Sequence, residues 1–345
     1  MSKKPKVTVL MPVYNSEKFL RESIESILNQ TFTDFEFLII NDSSTDKSEQ
    51  IIKSYTDSRI RLINNKENIG QTKSANRGIK LMQGEYLVRM DADDISLPKR
   101  LEIQVEFMDK NPDIGIAGSW FKIFGNYTKK YIKKTSSNVE KNKITLLFKS
   151  ILAQPSAIMR KKMMDKHNLK YNEKLKQSED YDLWVRSIKY FPITNIKKVL
   201  LLYRKHEKNV SKVYSNIQLQ CSTTIKIDQL KTNLDITPNT EELLIHQSIY
   251  KPEQYQISGF LKKAEEWLLK LKKKNQKIKF YSEPEFSEVI AERWLLICSV
   301  NASYDFKIFK RFWKSNLRKK LDWRNIENLK TIIRFFFKCL LRKQL

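Results

Sequence analysis

Apolar and polar positions alternate in blocks along the first third of the chain. Short apolar runs typical of buried strands occupy residues 7–11, 35–40, 60–63 and 86–90. Between them, apolar positions recur with helical spacing over 17–30, from the polar turn at 41–46 to about Tyr55, and over 72–83. This alternation predicts an α/β fold, in which a mostly parallel sheet carries helices on both faces.

The rest of the chain has a different pattern. A helix is predicted over 98–111, with Pro98 in its first turn, and strands are predicted over 115–125, 154–159 and 199–203. Of the 7 glycines, only Gly259 lies beyond Gly125, and from about residue 215 the pattern is helical and rich in lysine. We therefore predict two regions, an α/β domain over 1–215 and a Lys-rich helical region over 216–345.

Three of the predicted strands end in polar turns, at Tyr14-Asn15, at Asp42, and at 91–93. The carboxyl ends of parallel strands meet at one edge of a sheet, where open α/β folds place their ligand sites. We therefore expect a crevice with the geometry of a nucleotide site. No GxGxxG follows the first strand, which argues against a dinucleotide oxidoreductase, and no P-loop pattern occurs.

The segment Asp91-Ala92-Asp93-Asp94 places three carboxylates directly after a strand. These groups repel one another unless a cation lies between them, and oxygen ligands suit Mg²⁺ or Mn²⁺, which bridge phosphate oxygens. The alternative is a polar turn or a helix cap. A calcium loop counted from Asp91 is rejected, because Ile95 and Ser96 stand where a ligand and the required glycine belong. The expected site is a metal that holds a nucleotide diphosphate.

A second acidic patch, Ser178-Glu179-Asp180-Tyr181-Asp182, lies ninety residues further along the chain. One interpretation is structural: Ser178 caps a helix, and the three acidic side chains stabilise its first turn. The other is that the patch contributes a functional carboxylate. The patch alone leaves both interpretations open.

Composition limits the partners. The net charge is +26, from 65 Lys and Arg against 39 Asp and Glu, which favours phosphates, nucleic acid or an anionic membrane. Basic residues are widely spread, and no helix-turn-helix, RNP or zinc pattern appears, so we expect no nucleic-acid partner. Three scattered cysteines, a charged N-terminus and no apolar run of roughly 18 residues are the basis for expecting a cytoplasmic protein.

The ordered set of motifs resembles bacterial family 2 glycosyltransferases of the GT-A fold. The resemblance extends over roughly residues 5–215. Each motif is weak alone, but the set in this order is specific. The matching segments are 9–15, 41–46, 68–70 with 75–78, 90–94, 178–180, and Tyr203-Arg204-Lys205-His206.

The resemblance implies a role for individual residues. The donor, a nucleotide sugar of the UDP type, would contact Pro12, Tyr14, Asp42, Lys73, Asp91 and Ala92. Within this set, Pro12, Tyr14 and Asp42 would cradle uracil and ribose. Asp93 and His206 would hold Mn²⁺ or Mg²⁺; for His206 an ordinary exposed histidine is the alternative. Asp180 would be the catalytic base, with Glu179 beside it. One departure is Ala75, where many relatives carry Arg, so that Lys73 would substitute for that contact.

Elementary chemistry agrees with these roles. A leaving diphosphate needs its growing charge neutralised, and the acceptor hydroxyl must lose a proton to a nearby carboxylate. The sequence therefore predicts an inverting, metal-dependent glycosyltransferase that moves a sugar to a hydroxyl of a glycan or lipid-linked acceptor in bacterial surface polysaccharide biosynthesis. The alternatives are a basic nucleic-acid-binding protein and an inactive GT-A scaffold.

The C-terminal segment contains two basic stripes. Lys330, Arg334, Lys338 and Arg342 recur every four residues among apolar side chains, and a similar stripe comprises Lys307, Lys310, Arg311, Lys314 and Arg318. Basic amphipathic helices of this kind suit the surface of an anionic membrane, where lipid-linked acceptors lie. The alternative is a helical subdomain whose apolar faces pack together while its lysines face water.

Overall fold

The chain divides into two compact units in a computed structural model that describes residues 4–125, 130–207, 209–254, 257–302 and 306–340. The first unit comprises Met1–Asn142 and Ser150–Ser222, and the second comprises Lys143–Lys149 and Thr223–Leu345.

One sheet organises the first unit. Its strands within the described residues are β1 Val7–Val13, β2 Phe35–Asn41, β3 Ile60–Asn64, β4 Tyr86–Arg89, β5 Ile95–Ser96, β6 Ile116–Phe124, β7 Tyr131–Lys133, β8 Ile158–Arg160 and β9 Ile193–Arg204. They are ordered β3-β2-β1-β4-β8-β6-β9-β5, and β7 pairs with β6.

Most of these strands run in one direction. Pairing is parallel for β2–β3, β1–β2, β1–β4 and β6–β9. The strand β8 is antiparallel to both β4 and β6, so β6 and β9 run in the same direction as β1 to β4. The short strands β5 and β7 are antiparallel to their neighbours. The predicted mostly parallel α/β sheet is confirmed.

Helices cover the two faces of the sheet. The helices of this unit are α1 Leu20–Leu28, α2 Ser48–Lys53, α3 Gln71–Leu81, α4 Arg100–Lys110, the start of α5 Val139–Thr145, α6 Lys161–Lys166, α7 Glu179–Ser187, α8 Val210–Val213 and the start of α9 Ser215–Leu234. Buried side chains of α1 and α4 form one core with Val7, Val9 and Met11 of β1. On the other face, α3 packs its Gly78 against Leu10.

Two details depart from the sequence-based expectations. The strand predicted to end at Met11 continues through Pro12, which pairs with Ile40. Proline is tolerated there because pairing with β4 stops at Leu10, so no partner requires the missing N–H. The strand predicted over 154–159 is wrong in its first half: Gln154–Ser156 form a 3₁₀ turn, with Pro155 in its first turn, and only Ile158–Arg160 are extended.

The second unit is helical. Its elements are the rest of α9, α10 Thr240–Ser248, α11 Phe260–Ile278, α12 Glu285–Asn301, α13 Phe306–Lys314, α14 Ile326–Leu340, and 3₁₀ turns at Pro252–Gln254 and Asn316–Lys320. A single apolar core joins these helices, with Trp267, Phe286, Trp294, Phe312 and Phe335 among its buried members. None of the helices in the described residues is both long and apolar enough to span a bilayer.

The predicted basic stripes are only partly helical. The helix α13 ends at Lys314, and Ser315 accepts a hydrogen bond from the Leu317 N–H, which starts the next 3₁₀ turn. Arg318 therefore belongs to that turn and not to the stripe on α13. Arg342, the last cation of the other stripe, lies outside the described residues.

Close approach of β1 to the segment after α3 predicts that Gly84→Ala destabilises the protein. A Cβ at Gly84 would lie 2.4 Å from the Thr8 nitrogen and 2.6 Å from the Val7 carbonyl carbon, and neither backbone atom can move easily. We expect the free energy of unfolding, measured in urea, to fall by about 3 kcal/mol or more.

Gly78→Ala is the matched control. Its added Cβ would meet only the end of the Leu10 side chain, at 2.2 Å, and a leucine can change rotamer. Alanine is also the better helix former, by about 1 kcal/mol. If Gly78→Ala lowered the free energy of unfolding as much as Gly84→Ala or more, contact with backbone atoms would not be the main cause of the loss.

Candidate active site

The carboxyl ends of β2, β1 and β4 lie side by side and carry the predicted donor residues. The Asp42 N–H donates to the Val13 carbonyl oxygen at 2.8 Å, and the Met90 N–H donates to the Leu10 carbonyl oxygen at 3.1 Å. Adjacent strands are about 4.8 Å apart, so Tyr14, Asp42 and Asp91 occupy one edge of the sheet. Tyr14 is exposed there, Pro12 is half-buried just behind it, and Ala92 is buried.

Asp42 is fixed by the segment that leads into α3. Its Oδ1 accepts hydrogen bonds from Asn65 Nδ2 at 2.6 Å and from the Ile69 N–H at 3.0 Å, and its Oδ2 accepts one from the Gly70 N–H at 2.9 Å. The carboxylate is buried. Lys73 lies in the first turn of α3, with its side chain exposed. This network holds the segment 65–70 and the start of α3 next to the end of β2.

The carboxylates of Asp91, Asp93 and Asp94 converge directly after β4. One oxygen from each lies within 4.8 Å of the others. Asp93 Oδ2 is 2.8 Å from His206 Nε2, and it also accepts a hydrogen bond from Asn209 Nδ2 at 3.2 Å. His206, which comes from the segment after β9, is therefore brought directly to Asp93.

Asp94 has a different role from its two neighbours. It is buried, and its Oδ1 accepts a hydrogen bond from the Arg204 N–H at 2.8 Å. Arg204 Nε also donates to the Asp93 carbonyl oxygen at 2.7 Å, and Ser23 Oγ donates to the Asp94 carbonyl oxygen at 2.7 Å. Burial raises the pKa of Asp94 well above its ordinary value. These contacts tie the acidic segment to β9 and α1.

A buried arginine lies under the cluster. Arg89 is completely buried; its Nη1 donates to the Leu10 carbonyl oxygen at 3.2 Å, and its Nη2 lies 3.5 Å from Asp91 Oδ1. Burial raises the pKa of Asp91 to about 6, against the opposing effect of the Arg89 charge, and repulsion from Asp93 and Glu179 adds to the rise. Arg89 therefore supplies part of the positive charge that this acidic segment needs.

The second acidic patch forms the first turn of α7. Ser178 adopts a left-handed conformation with φ of 65°, and its side chain does not cap the helix; its hydroxyl donates to the Gln218 carbonyl oxygen at 3.3 Å. The capping interpretation of Ser178 is therefore wrong. Asp182 is paired with Arg186 at 2.8 Å. Of the three acidic residues, Glu179 and Asp180 remain as candidates for chemistry.

The two acidic patches act on each other electrostatically. Burial raises the pKa of Asp180 to about 7, with further contributions from the negative charges of Glu179 and Asp91. Burial also raises the pKa of Glu179, while Arg89 opposes that rise. A carboxylate with a pKa near neutrality can accept and release a proton at physiological pH.

The residues present fit a hard divalent cation. Three carboxylates converge, a histidine nitrogen is within 2.8 Å of one of them, and Asp94 Oδ2 is a buried oxygen without a hydrogen-bond partner among the described residues. Oxygen-rich sets of this kind suit Mg²⁺ and Mn²⁺.

Reasoning from sequence missed three residues of this site: Arg89, Arg204 and Asn209. Arg204 stood within a quoted motif but received no role. Arg89 stands two residues before Asp91, and a charged residue at the end of an apolar strand is a signal that the sequence contains. Asn209 offered no such signal, because only the fold brings it to Asp93.

Comparison with known proteins identifies the family. Residues 8–168 match the model of glycosyl transferase family 2. The uncharacterized glycosyltransferase MJ1057 of Methanocaldococcus jannaschii is 41% identical over 209 residues, which cover 58% of this chain and 71% of that protein. An uncharacterized glycosyltransferase of Haemophilus influenzae is 33% identical over 242 residues, covering 66% of this chain and 73% of that protein.

Solved structures agree at the level of the fold. Residues 1–349 of TarS from S. aureus match with a TM-score of 0.54 and 18% identity, covering 96% of this chain and 91% of that one. The same fragment in complex with UDP-GlcNAc matches with a TM-score of 0.56 and 19% identity, covering 96% and 92%. With the sequence relatives, these findings show that the chain belongs to the family 2 glycosyltransferases and has a GT-A type fold.

Proposed function

We propose that this enzyme transfers a sugar from a UDP-sugar to a hydroxyl group of a glycan or lipid-linked acceptor, with inversion at the anomeric carbon and with the help of a divalent metal. The observation that carries the proposal is the convergence of Asp91, Asp93 and Asp94 beside His206, with Glu179 and Asp180 near enough for the charges of the two patches to affect each other. One site then holds both a cation-binding group and a proton acceptor. The UDP-GlcNAc complex of TarS supports the choice of donor.

The donor would lie along the edge formed by β2, β1 and β4. In this proposal Tyr14 and Pro12 contact the uracil, and Asp42 lies beside the ribose. Lys73 approaches the nucleotide from the first turn of α3, and Asp91 with Ala92 faces the ribose and the sugar. The exposed ring of Tyr14 offers an apolar surface for a base, which supports this assignment.

We assign the metal to Asp93 and His206, with Asp91 on the donor side. When bound, a Mn²⁺ or Mg²⁺ ion would neutralise negative charge on the leaving diphosphate. Asn209 holds the Asp93 carboxylate in position, and Arg204 fixes the backbone at Asp93. These residues orient the cluster before any ligand binds.

Asp180 would take the proton from the acceptor hydroxyl. The acceptor oxygen forms a bond to the anomeric carbon from the face opposite the diphosphate, the bond from that carbon to the diphosphate oxygen breaks, and the hydroxyl proton passes to Asp180. Burial holds the pKa of Asp180 in the range for proton transfer near neutral pH, and the negative charge of Glu179 adds to that effect.

We also infer a cytoplasmic enzyme, peripheral on the inner face of the cytoplasmic membrane, that acts in bacterial surface polysaccharide biosynthesis. The net charge of +26 supports an anionic partner, and lipid-linked acceptors lie at such a surface.

A donor screen tests the proposed function. UDP release would be measured with Mn²⁺ for UDP-glucose, UDP-galactose and their N-acetyl forms, with calorimetry of UDP binding in parallel. The proposal expects manganese-dependent UDP binding and release from at least one donor. Binding without release from any donor would favour an inactive scaffold, and absence of UDP binding would contradict the donor assignment.

Asp180→Asn is expected to lower the rate of transfer by about 10²- to 10⁴-fold, because the amide cannot accept the hydroxyl proton. UDP affinity, measured by calorimetry with Mn²⁺, should change little. The control is Asp182→Asn in the same helical turn, whose carboxylate is occupied by Arg186 at 2.8 Å. Equal losses in the two variants, or full activity of Asp180→Asn, would remove Asp180 from the role of base.

Burial of the acidic side chains, together with repulsion among them, predicts that the metal-free protein becomes less stable as the pH rises from about 5 to 8. The pKa of Asp91 is raised to about 6 and that of Asp180 to about 7, from an ordinary value of 3.8. The folded protein therefore binds these protons more tightly than the unfolded chain, and that advantage is lost as the pH passes through the folded pKa values. Mn²⁺ should raise the melting temperature more at pH 8 than at pH 5.

One variant within the acidic cluster and one control variant outside it distinguish stabilisation by Mn²⁺ at this site from effects elsewhere in the protein. Asp93→Asn should abolish most of the stabilisation by Mn²⁺ at pH 8, whereas Asp113→Asn, at an exposed position outside the cluster, should leave it intact. A melting temperature that rises from pH 5 to pH 8 without metal would contradict the predicted sign.

A further inference from the structure

The last helix, α14, has apolar side chains on two faces. Phe335 and Cys339 are buried in the core of the helical unit. Five other apolar side chains are 39% to 65% exposed, and at 100° per residue they fall within about 80° of the helix circumference. These residues define the α14 stripe: Ile326, Leu329, Ile333, Phe337 and Leu340.

The α14 stripe continues onto α13 through aromatic contacts. The Phe337 ring lies 5.8 Å from the Phe336 ring, and the Phe336 ring lies 6.2 Å from that of Phe306, which is itself 36% exposed. Trp313 and Trp323 stack at 5.6 Å and are also partly exposed. Large exposed apolar surfaces are rare on soluble monomeric proteins, and they often mark interaction sites.

Cations flank the stripe on both sides. Lys330, Arg334 and Lys338 follow one another every four residues along one side and are exposed. Lys330 also pairs with Glu327 at 3.0 Å, and Lys338 donates to the Val300 carbonyl oxygen at 3.0 Å. On the side of Phe336, Lys310 Nζ lies 5.8 Å from the Phe306 ring centroid. The same lysine lines a groove of about 520 Å³ between α11 and α13.

The charge of the segment decides what this surface can bind. Residues 306–340 contain eleven Lys and Arg against two acidic residues. Two copies of the chain joined through this surface would bring two sets of excess positive charge together. Anionic lipid headgroups would neutralise that charge, while the acyl-chain boundary would accept the apolar stripe, and tryptophans are favoured at that boundary.

We propose that the α14 stripe and its flanking lysines and arginines form a docking surface for an anionic phospholipid bilayer, with α14 lying in the plane of the membrane interface. The residues of this surface all belong to the second unit, and the proposal holds whichever sugar the enzyme transfers.

Cosedimentation of the full chain with vesicles tests the proposal. Vesicles of phosphatidylcholine alone are compared with vesicles that also contain about 30% phosphatidylglycerol, which gives their surface a negative potential. We expect binding to the anionic vesicles to be about tenfold or more tighter, and to weaken as NaCl is raised, because surface charges are screened.

The double variant Ile333→Asp with Phe337→Asp should lose about tenfold or more of the vesicle affinity. The matched control is Leu244→Asp with Leu269→Asp, which introduces the same charges at two leucines that are 38% and 39% exposed on α10 and α11. Both proteins should retain UDP binding, which shows that loss of docking is distinct from loss of the nucleotide site.

Three outcomes would overturn the proposal. The first is equal vesicle binding by the stripe variant and the control variant. The second is absence of binding by the unmodified chain, or binding that does not depend on phosphatidylglycerol. The third is a dimer in light scattering that the stripe variant dissociates, which would assign the surface to a second copy of the chain.

Discussion

Repulsion among carboxylates that are buried or partly buried is the constraint on which the site depends. Five acidic side chains from two segments of the chain, at 91–94 and 179–180, act on one another in a region where burial already penalises their charge. Arg89 lies beneath Asp91, and Arg204 fixes Asp93 and Asp94 through backbone contacts. Without a ligand, this arrangement remains short of positive charge, which is the property expected of a cation site.

The scaffold positions these groups through its strands. The parallel order of β2, β1 and β4 places Asp42, Tyr14 and Asp91 at one edge, and β9 delivers Arg204 and, just beyond it, His206 to the same edge. Close backbone approach at Gly84 sets how tightly the segment after α3 packs on β1. Hydrogen bonds from Arg204, Ser23 and Asn209 also hold the acidic segment after β4 in place, so that its carboxylates stay close together. The cost of that repulsion is carried by the folded protein and would be relieved by a bound cation.

Much of the fold could be predicted from the sequence because buried parallel strands and amphipathic helices have distinct periods. The strand at 7–11 and the helix at 98–111 follow from apolar spacing, and β1 and α4 lie there. The same reasoning failed at Pro155, which lies in a 3₁₀ turn although a strand was predicted there. Ser178 has the composition of a cap but a left-handed backbone, which local sequence does not reveal.

The site and the C-terminal helices differ in what sequence could reveal. The acidic segment 91–94 stood out because its carboxylates come just after an apolar strand, whereas the contact of Asn209 with Asp93 depends on tertiary packing alone. In α14, sequence predicted a basic stripe among apolar residues. Only the packing of Phe335 and Cys339 distinguishes the buried apolar face from the exposed one.

X-ray diffraction from crystals grown with Mn²⁺ and UDP, with data collected at the manganese absorption edge, tests the central claim most directly. The claim predicts a single strong anomalous peak in the first unit, about 2.2 Å from an Asp93 carboxylate oxygen, a typical distance between a hard divalent cation and its oxygen ligands. The UDP diphosphate should lie against that peak, with Asp180 on the opposite side of the space for the sugar. Manganese and UDP bound elsewhere, with Asp93 still held only by His206 and Asn209, would contradict it.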